Sequence, residues 1–190
     1  ALSELRQRVG VVQQDPFLFR GTIASNISLS SPQISAGQIE KAAQAAHLDS
    51  LLKRCRHGLH TEIQESGANL SVGERQLIAF ARVLAFDPDI LILDEATANV
   101  DSVSEVLIQK ATEQITKGRT SLIVAHRLST IQSCDQIVVL EKGEIAEKGT
   151  HQELLSAEGI YASMQNKGHQ AAKTRRGASR ESYDVFGCSP

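Results

Sequence analysis

The stretch that most restricts the fold is "ILILD", Ile90 to Asp94. It is a short, continuous apolar run between turn signals, the pattern of a strand buried on both faces of a parallel sheet. "SLIVAH", Ser121 to His126, repeats the pattern. Helical segments alternate with these strands, which predicts an α/β layer fold with a mainly parallel core.

Local signals supply the remaining elements. "RVGVV", Arg8 to Val12, reads as a short strand entered from the helix-like "LSELRQ" and ended by the turn "QQDPF". Ser35 and Gln38 form a capping box ahead of one helix, "AGQIEKAAQAAHLDSLLKRC". His57 to Asn69 reads as a loop. Ser71 and Glu74 cap a helix that ends near Phe86, ahead of Pro88. Ser102 with Glu105 starts another, which ends at Lys117–Gly118. "QIVVLEKGEIAEKG" reads as a hairpin turning at Lys142–Gly143, and Thr150 with Glu153 caps a last helix through about Met164. The chain thus divides into residues 1–25 (the end of an N-terminal core part), a nearly all-helical subdomain over 26–86, the C-terminal part of the core over 87–165, and a tail over 166–190. The tail is rich in Lys, Arg, Ser, Gly and Ala with few apolar anchors, which predicts a disordered basic segment. Its "KTRRGASR" reads as solvated, and no nucleic-acid partner is expected.

At 190 residues the chain can bury a core without staples, and its net charge of −2 points to no class of partner. The longest apolar stretch, Leu77 to Phe86, is broken by Arg82 and is too short to span a bilayer. No charged-then-apolar leader stands before it, so secretion is not expected. Cys55, Cys134 and Cys188 are scattered, which argues against a zinc cluster or a disulfide framework and fits a reducing cytosol. The chain opens on Ala1 and holds one methionine, Met164. Removal of an initiator explains that, and so does a C-terminal piece of a longer chain; the motifs below favour the second.

Asp94 and Glu95 stand at the carboxyl end of a buried strand, where open α/β sheets bind ligands. Paired carboxylates there suit two tasks, one holding Mg²⁺ and the other polarising an attacking water. An acid pair at a helix start explains them equally well. His126 also ends a buried strand, where an imidazole could touch a terminal phosphate, although a lone histidine is more often a satisfied core residue. "LSVGERQ", Leu70 to Gln76, sets a Ser hydroxyl and a Gly backbone at a helix start, where free N–H groups favour an anion. A capped surface helix is the plainer reading of the same residues.

Order and spacing decide among these. The chain reads "QQD", then "LSVGERQLIAFARVLAFDPDILILDEATANVD", then "IVAHRLST". Over roughly Arg8 to Met164 it resembles the nucleotide-binding domain of ABC transporters, exporter type. The resemblance implies a partial P-loop NTPase (RecA-like) core, with a mainly parallel sheet, plus an α-helical subdomain. Gln14 resembles the Q-loop glutamine, which senses Mg²⁺ and the attacking water and reports to the membrane domains. Ser71, Gly73 and Glu74 resemble the signature motif, with Val72 where Gly is more frequent. Asp94 resembles the Walker B aspartate, a Mg²⁺ ligand, and Glu95 the catalytic base. Ala98 to Asp101 resemble the D-loop, and His126 the switch histidine. ATP and Mg²⁺ are the implied ligands. The implied partners are a second nucleotide-binding domain in a head-to-tail dimer, each signature motif facing ATP held by the other, and transmembrane domains on the same full-length chain. The implied location is the cytoplasmic face of the cell membrane. The apolar "FLF", Phe17 to Phe19, lies in the region that faces the membrane domains in such exporters.

One departure from the family matters. No G-x-x-x-x-G-K-[ST] loop occurs in this sequence, nor the aromatic that precedes it in the family. Without that lysine and its ring of amides the β- and γ-phosphates have no cradle here, so this chain alone is expected to be inactive as an ATPase. Two alternatives stand beside the exporter reading: a truncated, non-catalytic module docking to another ABC ATPase half, and a soluble ABC-type ATPase. The "QDPFLFRGTIASNI" and "AHRLSTI" stretches and the lack of long coiled-coil heptads favour the exporter.

Overall fold

The structure, a computed structural model, describes residues 2–95, 100–125, 128–173 and 184–189. Helix α1 (Leu2–Arg8) leads into β1 (Val9–Val12), and β2 (Gly21–Thr22) runs straight into α2 (Ile23–Ser28). Helices α3 (Ala36–Ala45) and α4 (Asp49–Arg54) follow, then β3 (Glu62–Ile63) between two single 3-10 turns. The long α5 (Val72–Phe86) precedes β4 (Ile90–Glu95), α6 (Ser102–Thr116), β5 (Thr120–Ala125) and α7 (Leu128–Gln132). The hairpin β6 (Gln136–Glu141) and β7 (Glu144–Gly149), α8 (His151–Ser156), α9 (Ile160–Lys173) and β8 (Asp184–Ser189) complete the chain.

The main sheet has the order β1-β4-β5-β8-β6-β7. Strands β1, β4 and β5 are parallel, with Val9 opposite Ile90 and Ile90 opposite Thr120. This is the α/β parallel core that the two apolar runs predict, and β8, β6 and β7 extend it in antiparallel fashion. The expectation of burial on both faces needs correction. Leu91, Leu93 and Ile123 are at most 3% exposed, yet Ile90 and Leu122, pointing the other way, are 40% and 39% exposed. Alternation along a strand sends neighbours to opposite faces, and among the described residues only one face of this sheet is fully covered.

The three predicted capping boxes all form, at Ser35/Gln38, Ser71/Glu74 and Thr150/Glu153. A further box joins Thr22 and Ser25 at the start of α2. The predicted hairpin turns at Lys142 and Gly143, which both take the positive φ (52° and 85°) that a two-residue turn of this hand requires.

Three local expectations change. The single helix expected after Ser35 breaks at His47, whose φ of 59° ends α3. The break turns the chain so that Leu48 and Leu51 both enter the core. Helix α6 is capped by Asp101 in place of Ser102, since the Asp101 carboxylate accepts from the Val103 and Ser104 amides at 3.1 and 2.9 Å. In the segment expected to be a disordered tail from residue 166, α9 instead continues to Lys173, and Asp184–Ser189 forms β8 between β5 and β6. A strand in that slot finds backbone partners on both sides, which outweighs the weak local preference of the segment.

The core runs between the sheet and the helices. Ile78 of α5 and Ile108 and Ile115 of α6 are fully buried, together with Ile23, Ile27 and Leu18. Replacing Ile108 by Ala removes a fully packed side chain in mid-helix. The expected loss is about 2–5 kcal/mol, read as a lowered denaturant midpoint with an unchanged slope.

Candidate functional site

The parallel register gives the first cluster. Val12 pairs with Leu93, Asp94 with Val124 and Glu95 with Ala125, so β1, β4 and β5 end together at one edge. Gln14, exposed two residues beyond β1, Asp94, half-buried at the end of β4, and Glu95 beside it all belong to that carboxyl edge. The Glu95 backbone closes the strand, but its side chain, Ala98 and His126 lie outside the described residues; His126 follows the last residue of β5 in sequence.

The second cluster lies at the start of α5. The Ser71 hydroxyl accepts from the Glu74 amide at 3.2 Å, and Glu74 Oε2 accepts from the Ser71 amide at 2.9 Å. The other carboxylate oxygen pairs with Arg54 of α4. Gly73 stands where α5 meets the start of α6: a Cβ there would lie 2.6 Å from Ser104 Cβ and 3.5 Å from Val100 Cγ1. The absent side chain therefore lets Asp101 approach the signature residues. Ser71, Glu74, Asp101, Ser104, Arg54 and Thr61 line one cleft of about 660 Å³. Hydrogen bonds from the Ser104 side chain, then its backbone, hold the Asp101 carboxyl below the usual carboxylate range.

Predicted site residues thus fall into two groups, Gln14, Asp94 and Glu95 at the sheet edge and Ser71, Glu74 and Asp101 in the cleft, with Gly73 buried where the two helix starts meet. Sequence reasoning did not find the charges that join them. Asp15, next to Gln14, lies 3.7 Å from Arg75, next to Glu74, and Arg75 also donates to the Leu70 carbonyl at 3.2 Å. Farther along α5, the Arg82 guanidinium donates to the Asn26 and Phe17 carbonyls at 3.0 and 3.2 Å. Its position inside the apolar run Leu77–Phe86 was the signal available. Asn26, 1% exposed, donates to the Phe19 carbonyl and accepts from the Phe19 amide, each at 2.8 Å. Those bonds hold a loop from which Phe17 and Phe19 project, each more than half exposed, with rings 5.0 Å apart and edge to face.

The model of the family described as ABC transporter matches residues 1–98. The chain belongs to the ABC transporter family. A probable multidrug resistance ABC transporter ATP-binding/permease protein of Bacillus subtilis is 52% identical over 161 residues, covering 85% of this chain and 24% of its own length. A fatty acid ABC transporter ATP-binding/permease protein of Mycobacterium bovis is 46% identical over 160 residues, covering 84% of this chain and 25% of its own. Among solved structures, a bacterial Atm1-family ABC exporter with ATP bound matches with a TM-score of 0.78 and 38% identity, over 93% of this chain and 30% of that one. The chain spans about a quarter of the length of these relatives. It corresponds to an ATP-binding region of exporter type. Among its described residues no helix is long and apolar enough to cross a membrane.

Two outcomes follow from the cleft. Gly73→Ala places a methyl against Ser104 and is expected to cost about 1–3 kcal/mol of stability in chemical denaturation. The Asp101 carboxyl is expected to titrate below the ordinary value of about 3.9, followed by carboxyl NMR. Since its folded value is depressed, its contribution to stability is complete above that ordinary value and is lost as pH falls through the folded one.

Proposed function

We propose that this chain is the ATP-hydrolysing part of a longer exporter, built to work against a second nucleotide-binding domain. The observation that carries this reading is the separation of the site residues into a sheet-edge group and a signature cleft on one chain. In this reading the edge group serves the nucleotide held by the same domain, and the cleft faces the nucleotide held by the partner domain.

Phosphoryl transfer needs positioning and charge stabilisation more than covalent chemistry. Glu95 orients and deprotonates the attacking water, Gln14 aligns it, and His126 steadies the γ-phosphate. Ser71 and the Gly73 amide offer donors at the positive end of α5, and Asp101 holds the start of α6 beside them. Asp94 is a half-buried hard-oxygen donor at the strand end, which suits Mg²⁺. Among the described residues no three His, Cys, Asp or Glu side chains are grouped to hold a metal. Magnesium bound through one or two carboxylates and the substrate's phosphates requires no such group. When bound, the ion would neutralise charge on those phosphates.

Coupling to transport runs through membrane domains, on the same full-length chain at the cytoplasmic face of the membrane. The exposed Phe17–Phe19 pair supports that contact: it is an apolar patch on a loop tied to α5 by Arg82. The half-open face of the sheet at Ile90 and Leu122 supports further chain packing there. The test is Glu95→Gln in the complete exporter, which keeps the shape and removes the base. ATP hydrolysis is expected to be lost while ATP binding is retained, and unchanged turnover would remove Glu95 from this role.

A further inference from the structure

The cleft that is to receive a phosphate holds two carboxylates, Glu74 and Asp101, and Asp101 is taken up by the Val103 and Ser104 amides. Glu74 sits in the first turn of α5 beside Ser71, and a bare negative charge there would repel an incoming anion. The structure answers this conflict with Arg54, the last residue of α4 and 20 residues upstream. Its guanidinium pairs with Glu74 Oε1, while Glu74 Oε2 accepts from the Ser71 amide at 2.9 Å. Both carboxylate oxygens are therefore engaged. The charge of Glu74 is balanced, and its carboxylate is held on the helix cap. The Glu74 side chain is 17% exposed and that of Arg54 67%, so Arg54 is the solvent-side partner of a largely covered acid.

We propose that Arg54 is a positioning residue of the signature cleft. It neutralises Glu74 and holds it on the cap, so that the Ser71 hydroxyl and the first amides of α5 meet a nucleotide phosphate without competition from the carboxylate. The inference rests on the reading of the cleft as half of an ATP site. Arg54 acts through Glu74, which separates this role from direct contact with the phosphate.

A double-mutant cycle in the complete exporter tests it, with KM for ATP and kcat measured separately. Arg54→Ala is expected to raise KM by about three- to fivefold, the scale of a partly exposed charge pair, with kcat little changed. Arg54→Lys keeps the charge and is expected to stay within about twofold of the parent. In the Glu74→Gln background, where there is no charge to balance, Arg54→Ala is expected to add nothing further. An unchanged KM for Arg54→Ala overturns the proposal. An equal rise in both backgrounds also overturns it, because Arg54 would then act without Glu74. Ser71→Ala separates the two levels. If it impairs ATP turnover while the Arg54 cycle shows no coupling, only the positioning role fails; if it changes nothing, the ATP reading of the cleft fails first.

Discussion

Where the first turns of α5 and α6 meet, a side chain on residue 73 has no room, because its Cβ would lie 2.6 Å from Ser104. Real Cβ atoms do not approach that closely, so glycine is what allows the two helix starts to touch. The consequences spread outward from that contact. Ser71 and Glu74 complete their reciprocal cap on one helix, Asp101 caps the other, and the two caps face a common cleft. Two helix starts side by side bring the positive ends of two dipoles to one place.

The second organising feature is the common ending of β1, β4 and β5. Parallel pairing in register brings Gln14 to one edge with Asp94 and Glu95, although 80 positions separate Gln14 from Asp94 in sequence. The Asp15–Arg75 pair connects that edge to the signature helix, and Arg82 connects the same helix to the loop of Phe17 and Phe19. Helix α5 is thus in polar contact with the sheet edge, the cleft and the exposed aromatic pair. These contacts are made by a single packed element, whose Ile78, Phe80 and Ala81 are buried.

Much of this was legible in the sequence where the interaction spans three or four residues. Capping boxes, the Lys142–Gly143 turn and the α5 ending near Pro88 depend on neighbours, and each forms as read. Asp101 against Ser102 as cap is a choice between adjacent residues that both suit the role, and the hydrogen bonds decide it. What remained hidden depends on distant parts of the chain. Arg54 meets Glu74 across 20 residues, and Arg82 meets the Phe17 carbonyl across 65. The break at His47 exists because tertiary packing of Leu48 and Leu51 overrides good helix propensity. Strand β8 has its place because two other strands leave a slot, which the local composition of the last residues does not encode. The candidate site residues rest on motif order, while the side chains around them were visible only in three dimensions.

In the proposed reading, this chain carries the signature half of an ATP site and residues that act on a bound nucleotide, while its sequence holds no G-x-x-x-x-G-K-[ST] loop to cradle the phosphates. A calorimetric titration of the 190-residue chain with Mg²⁺–ATP tests that most directly. The account predicts no saturable binding in the micromolar range. A micromolar dissociation constant for this chain alone would contradict it, because the phosphates would then have a cradle that neither the sequence nor the two clusters supply.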